Sequence, residues 1–234
     1  MAPSSPPQDT TSTPPRPQET ATSQPPSQSP PAHIHTLTLP HYPTHPIHLA
    51  LFRSVTNAPT LRSQLLSSNP LFDYAFLDAT VLLSPTHLLL AAQLALHAHL
   101  TGKGKTRTPH SELVFRLHPN NNIGEAYRKF GMGDESREVL VVKFGGLGEA
   151  VAAEWVGKHL GEVVEGESVR MGEDMEEVAM FADVAKVRKI YKLGEGGAKG
   201  KGKKGTDVNG DGKARDELKG MESVILGMMA LKGS

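Results

Sequence analysis

The sequence predicts a mixed α/β (α+β) fold: a single domain with a small central mixed β-sheet flanked by several helices. Three observations predict it. Apolar runs of strand length alternate along the chain with longer segments of helical period. One of those segments, 85–100, carries helix signals at both ends. Setting aside the polar ends leaves a core of roughly 160–180 residues, enough to bury about 70% of the surface its unfolded chain exposes.

The first 32 residues stand outside that core. Ten of the chain's 18 prolines fall within residues 1–31, and apolar side chains are almost missing there. Such a segment cannot bury enough surface to offset the entropy of ordering it, so 1–32 reads as a disordered Pro/Ser/Thr/Gln-rich tail. The core, 33–193, opens with "IHTLTL" and "IHLALFR", two strands joined by a Pro/His-rich turn. "SVTNAPTLRSQLLSS" reads as a helix with Asn57 at its N-cap. "LFDYAFLDATVLL" is ambiguous and fits a second helix leading into a short strand. "PTHLLLAAQLALHAHL", 85–100, is the clearest helix, capped by Ser84, begun by Pro85, stopped by Gly102 and nearly all buried.

"SELVFRL", 111–117, alternates and reads as a strand. "NNIGEAYRKFG" is a short helix begun by an Asn and ended by Gly131, and "EVLVVKF" a continuous apolar strand. "GGLGEAVAAEWVGKHLG" is a glycine-rich helix start, and "EDMEEVAMFADVAKVRKIYKLG" supplies one or two further helices. Residues 194–213 are Gly/Lys-rich without periodicity and read as a flexible insert before a C-terminal helix over 214–234.

Several motifs invite a chemical reading. "GKGKT" at 102–106 ends like a phosphate-binding P-loop, but the first glycine of that motif should stand at 99, which is His99. The stretch also leads out of a helix rather than into one. "DVNGDGKARDEL" imitates a calcium loop through Asp207, Asn209, Asp211 and Gly212, yet its twelfth position is Leu218, with Glu217 one place early. Five of the 11 histidines lie between His33 and His48 with no cysteine in the chain, and His97 and His99 stand about 200° apart on their helix, so no metal site is assigned. "GGLGEA" lacks dinucleotide spacing. No nucleophile–base pairing specific enough to name a catalytic site is visible, and no cofactor is implied.

Two features point toward binding. Lys103, Lys105 and Arg107 alternate, so in an extended loop all three project together, as a comb for the phosphates of a single strand or as an ordinary solvated loop. Net charge is zero, so a nucleic-acid contact must come from such a local patch. On the last helix, Leu218, Met221, Val224, Ile225, Leu226, Met228, Met229 and Leu231 cover an arc of roughly 220°, more than one core contact needs. Either this helix is sandwiched within its own fold or one flank awaits a partner. With no apolar run near 18 residues and no secretory h-region, the chain is expected to be soluble and intracellular, with no membrane partner.

"LDATVLLSPTHLLLAAQLAL", "KGKTRTPHSELVFRLHPNNNIGEAYRKFGM" and "VAKVRKIYKL" together resemble the small accessory subunit of the KEOPS/EKC complex, the PRPK-binding protein family, in a fungal-type form. The most specific element is 105–131; the likeness covers about 47–193 and, more loosely, the final helix, while the tail and the 194–213 insert depart from it. The resemblance implies a non-catalytic regulatory subunit of the complex that makes N6-threonylcarbamoyladenosine in tRNA. It implies a PRPK-type atypical kinase/ATPase as partner, the other subunits through it, and contact with tRNA, including its 3′ end. It also implies a nuclear and cytoplasmic location with links to telomeres. On that reading Val224, Ile225, Leu226 and Met229 bind the kinase, and Lys103, Lys105 and Arg107 bind tRNA. A free-standing RNA-binding module is the alternative, and the burial of the last helix discriminates between them.

Overall fold

The computed structural model describes Met1 and residues 29–148, 151–194 and 210–232. Most of the expected tail and most of the expected insert lie outside the described residues.

The chain enters along what becomes the far face of the sheet and forms a hairpin of β1 (His35–Leu39) and β2 (Tyr42–Arg53). The Pro/His-rich stretch expected to be the turn is largely strand. Only Pro40 and His41 separate the two elements, and the register shifts at Thr38/Leu39, next to the Thr38 pairing with Pro46, which has no N–H to offer. After β2 come α1 (Ala58–Leu66), β3 (Ala75–Asp78), α2 (Pro85–Leu100), α3 (Pro109–Leu117) and α4 (Ile123–Phe130). The chain then runs through β4 (Val139–Phe144), α5 (Ala153–Val163), β5 (Glu167–Val169), α6 (Val184–Tyr191) and α7 (Gly210–Leu231). The stretch "LFDYAFLDATVLL" resolves into β3 between two short 3₁₀ turns, Pro70–Phe72 and Ala79–Val81, each opened by an Asn or Asp side chain accepting a backbone N–H.

The class is mixed α/β as expected, but the sheet is not mixed in direction. Its order is β1-β2-β4-β3 with β5 also on β2, and every described pairing is antiparallel. The strand–helix–strand rhythm of β2, α1 and β3 does make those two strands parallel to each other. Yet β4 returns and inserts between them, antiparallel to both. A rhythm of elements fixes relative direction, not adjacency.

The sheet is covered on both faces. Ile47, Leu49 and Leu51 of β2 join the larger core with Leu77, Leu140, Val142 and residues of α2, α3, α4, α6 and α7. Ala50 and Phe52, pointing the other way, pack with Val141, Phe76 and the apolar sides of α1 and α5. That two-sided burial explains why β2 and β4 read as nearly continuous apolar runs. On the far face Trp155, the chain's single tryptophan, stacks on His159 at 5.2 Å, and the Tyr74 hydroxyl meets His159 Nδ1 at 2.9 Å.

The second correction concerns 111–117, expected as a strand and found inside α3. Thr108 caps it by accepting from the Ser111 N–H at 3.1 Å, and Pro109 occupies the first turn. Thr-Pro-x-Ser is a helix start. The apparent alternation misled because Leu113, Val114, Phe115 and Leu117 are all buried, so period carries no information there. By contrast α2 begins and ends where its sequence signals place it. Ser84 accepts from the His87 N–H at 3.0 Å. At the other end Gly102, at φ +68, lets Lys103 N reach Ala98 O at 2.8 Å and its own N reach His99 O at 3.1 Å.

At α1, Asn57 holds the N-cap position without a side-chain cap bond. Its amide instead donates to Val163 O at 2.8 Å and accepts from Glu165 N at 3.1 Å, tying α1 to the end of α5. The "GGLG" run does not open α5, which starts at Ala153. Gly146, at φ +70, lets the chain pass Thr44, whose carbonyl oxygen would stand 2.3 Å from an added Cβ. Among the described residues no helix is long and apolar enough to cross a membrane, and no three His, Cys, Asp or Glu side chains are grouped to hold a metal ion.

Candidate docking surfaces

The final helix divides its apolar residues between two jobs. Met221, Ile225 and Met229 recur every four residues and are 5%, 0% and 0% exposed, forming a stripe in the main core. Helix α7 packs against α2, and the Ser84 hydroxyl donates to the Glu222 carboxylate across that contact. Each buried side chain contributes about 1.5–3 kcal/mol by leaving water. Ile225 and Met229, two of the four residues assigned to a partner from sequence, are therefore occupied inside the chain itself. Sequence alone cannot tell which part of a wide apolar face the fold covers.

The uncovered part lies about 90° round the helix. Val224 is 49% exposed, Met228 37% and Leu231 76%, spaced i, i+4, i+7, so they share one flank. Gly220 and Gly227 border this flank with open space where a Cβ would be. Leu226 is half-buried on the other flank, beside Glu222, Ser223 and Ala230. Met228 and Leu231 lay within the apolar arc but were not singled out from sequence; their i, i+4, i+7 relation to Val224 was the available signal.

The basic comb occupies the loop between α2 and α3. Lys103, Lys105 and Arg107 are all exposed, as expected for a surface patch. What shapes the loop is a buried acid that sequence reading missed. Glu112, 0% exposed, accepts at Oε2 from Lys105 N (2.9 Å), Thr106 N (3.0 Å) and Thr106 Oγ1 (3.0 Å). Its Oε1 accepts from Arg116 Nε at 2.8 Å. A carboxylate can be buried at low cost only when its oxygens are filled in this way. The signal was present as a Glu and an Arg four residues apart inside an otherwise apolar run.

Arg116 carries the connection further. Its Nη1 donates to Lys232 O at 2.8 Å, one residue past the end of α7. Lys232 returns the contact: its Nζ donates to His118 O at 2.7 Å and to Phe115 O, and lies 3.5 Å above the Phe115 ring. Burial, together with the neighbouring Arg116 charge, pulls the Lys232 ammonium down to about 8. Packed on α3, α4 exposes Ile123 and Tyr127. Asn122 serves structure, accepting from Glu125 N at 3.0 Å as the α4 cap.

One pair resembles catalytic machinery. His110 Nδ1 meets Asp73 Oδ1 at 3.0 Å, but Phe144 N–H donates to His110 Nε2 at 3.0 Å. The proton therefore sits on Nδ1, both ring nitrogens are engaged, and burial holds the imidazole neutral. Burial alone would raise the Asp73 carboxyl, yet the His110 hydrogen bond and the Lys143 charge bring it to about 2. The pair ties α3 to the strands that flank it.

The mixed α/β fold thus exposes one flank of α7 and ties a cationic loop to the end of that helix. The chain belongs to a family of kinase binding proteins, CGI-121, whose model matches residues 52–233. A protein of Phaeosphaeria nodorum named "EKC/KEOPS complex subunit CGI121" is 50% identical over 86% of this chain and 99% of its own length. Proteins of the same name from Aspergillus fumigatus and Gibberella zeae are each 39% identical over 86% of this chain, covering 97% and 98% of their own lengths.

Proposed function

We propose that this chain is a non-catalytic regulatory subunit of a KEOPS/EKC complex. It binds the complex's PRPK-type atypical kinase through the Val224–Met228–Leu231 flank of α7 and engages tRNA during threonylcarbamoylation of adenosine. One observation carries the kinase part: in a family of kinase binding proteins, the outermost helix keeps Val224 and Met228 exposed at 49% and 37% after its own core is filled. A free-standing module would gain nothing from that arrangement, so the reading without an obligate partner loses ground. Lys103, Lys105 and Arg107, all exposed, offer the phosphate contacts by which a protein holds single-stranded RNA such as a tRNA 3′ end. Catalysis would belong to the partner, and the site of action would be nuclear and cytoplasmic, with access to telomeres.

Co-expression with the same organism's PRPK-type kinase, followed by size-exclusion chromatography, tests the first part. A stable one-to-one complex is expected, lost in Val224→Glu/Met228→Glu; separate elution of the unaltered chain would end the kinase reading. For the RNA part, Lys103→Glu, Lys105→Glu and Arg107→Glu together should weaken tRNA binding. They should also lower the slope of log affinity on log salt by about 2, near 0.7 per phosphate contact on a single strand. An unchanged slope removes the comb from the interface.

A further inference from the structure

The loop and the tip of α7 are joined by one buried chain of hydrogen bonds, and that chain has few ways to relax. Glu112 Oε2 draws all its donors from Lys105 and Thr106, at 2.9–3.0 Å. Glu112 Oε1 is held by Arg116, whose guanidinium is shared with the Lys232 carbonyl at 2.8 Å. Both side chains are buried, Glu112 at 0% and Arg116 at 7% exposure. Pulling the loop outward would strip Oε2 of its donors and leave a buried anion half-satisfied, which is costly. Arg116 is the remaining described partner of that carboxylate, and swinging its fork toward Oε2 draws it away from the Lys232 carbonyl.

We infer that Glu112 and Arg116 are positioning residues which couple the 103–107 loop to the C-terminal end of α7, so that loading the loop changes the order of the α7 docking flank. The two arrangements of the guanidinium, shared with Lys232 or committed to Glu112, form the bistable element that coupling requires. Leu231 of the docking flank immediately precedes Lys232, so release of that carbonyl is felt on the exposed face within one residue. The inference deepens the function proposed above, since the two coupled elements are the RNA loop and kinase flank of that reading.

The test is hydrogen exchange followed by mass spectrometry on the full chain carrying Thr106→Val, which removes one donor to Oε2 and touches nothing in α7. The expected result is about fivefold faster exchange both at 103–108 and at 228–232, with α5 unchanged. Faster exchange in the loop alone, no change in either, or equal acceleration in α5 would each overturn the coupling. Glu112→Gln should act in the same direction and more strongly. Adding a tRNA transcript to the unaltered chain separates this idea from the one beneath it. Protection at 103–108 accompanied by altered exchange at 228–232 supports both. Protection of the loop with α7 unmoved overturns the coupling. Absence of loop protection counts against the RNA reading while leaving the Thr106→Val result to decide the coupling.

Discussion

Helices α2 and α7 pack on each other, but α2 carries no Asp, Glu, Lys or Arg while the first half of α7 is rich in them, and the two carry opposite loads. Helix α2 is capped at both ends and buried over most of its length: His87, Leu88, Ala91, Ala92, Ala95, Leu96 and Ala98 are buried, and exposure is confined to Thr86, His97, His99 and Leu100. Helix α7 lies outside it and buries only every fourth residue from Met221 to Met229. Within the uncharged stretch 224–231 of α7, composition alone does not say which side chains the core takes. The separation comes from position: α2 is flanked by α3 and α7, while one flank of α7 meets solvent. The difference shows that one wide apolar arc can be split between a buried stripe and an exposed flank.

The comparison within α7 breaks most sharply at Ile225. Ile225→Asp places a charge where exposure is 0% and should cost about 4 kcal/mol or more, visible as a large fall in the urea midpoint. Val224→Asp, one residue away and half-exposed, should stay within about 0.5 kcal/mol of the unaltered chain. Similar losses from both changes would mean that the exposed flank is not spare.

On α2 the enclosed environment has a proton-linked consequence. Leu83 N–H donates to His87 Nδ1 at 3.3 Å, so the ring proton sits on Nε2 and meets Tyr191 OH at 2.8 Å; Tyr191 in turn donates to Leu117 O. Burial lowers the His87 imidazole from 6.5 to about 4. Between those values the unfolded chain binds a proton that the folded chain refuses, so acid favours unfolding. The contribution is intact above about pH 6.5 and declines as pH falls, and the loss reaches about 3 kcal/mol once pH is below about 4. Denaturant titrations at pH 7 and 4.5 should show the decline, and an NMR titration of the His87 ring should place its midpoint well below 6. A ring that titrates near 6.5 would contradict the enclosed picture.

The smallest effect sharpens the picture instead of breaking it. Gly227 lies mid-helix on the exposed side with open space around an added Cβ. Gly227→Ala should stabilise the chain by about 0.5–1 kcal/mol. If a partner approaches α7 closely there, the same change should weaken kinase binding, so stability and affinity would move in opposite directions.

Much of the fold was legible in the sequence where end signals and period agreed. Ser84, Pro85 and Gly102 bracketed α2, and Asn122 and Gly131 bracketed α4. Legibility failed where burial was complete. At 111–117 every apolar position is covered, so alternation mimicked a strand and the Thr108–Pro109 start signal was the better guide. Sheet direction was hidden because β4 joins β2 and β3 from far along the chain. At the docking surfaces, exposure of Lys103, Lys105 and Arg107 followed from local polarity, while the choice among α7 residues needed to know which stripe α2 and the core would claim. Glu112 and Arg116 show in the sequence only as an i, i+4 pair; the two loop amides and the Lys232 carbonyl that complete their bonding are backbone groups without a sequence signature.

Trp155 is the only indole in the chain, and it stacks on His159 on the sheet face away from α7. That placement gives the protein a built-in spectroscopic reporter for the side opposite its docking flank. Ligands that meet only α7 or the basic loop should leave its emission maximum where it was. A shift would signal that the sheet itself had moved, so one fluorophore separates contact at the surface from rearrangement of the whole.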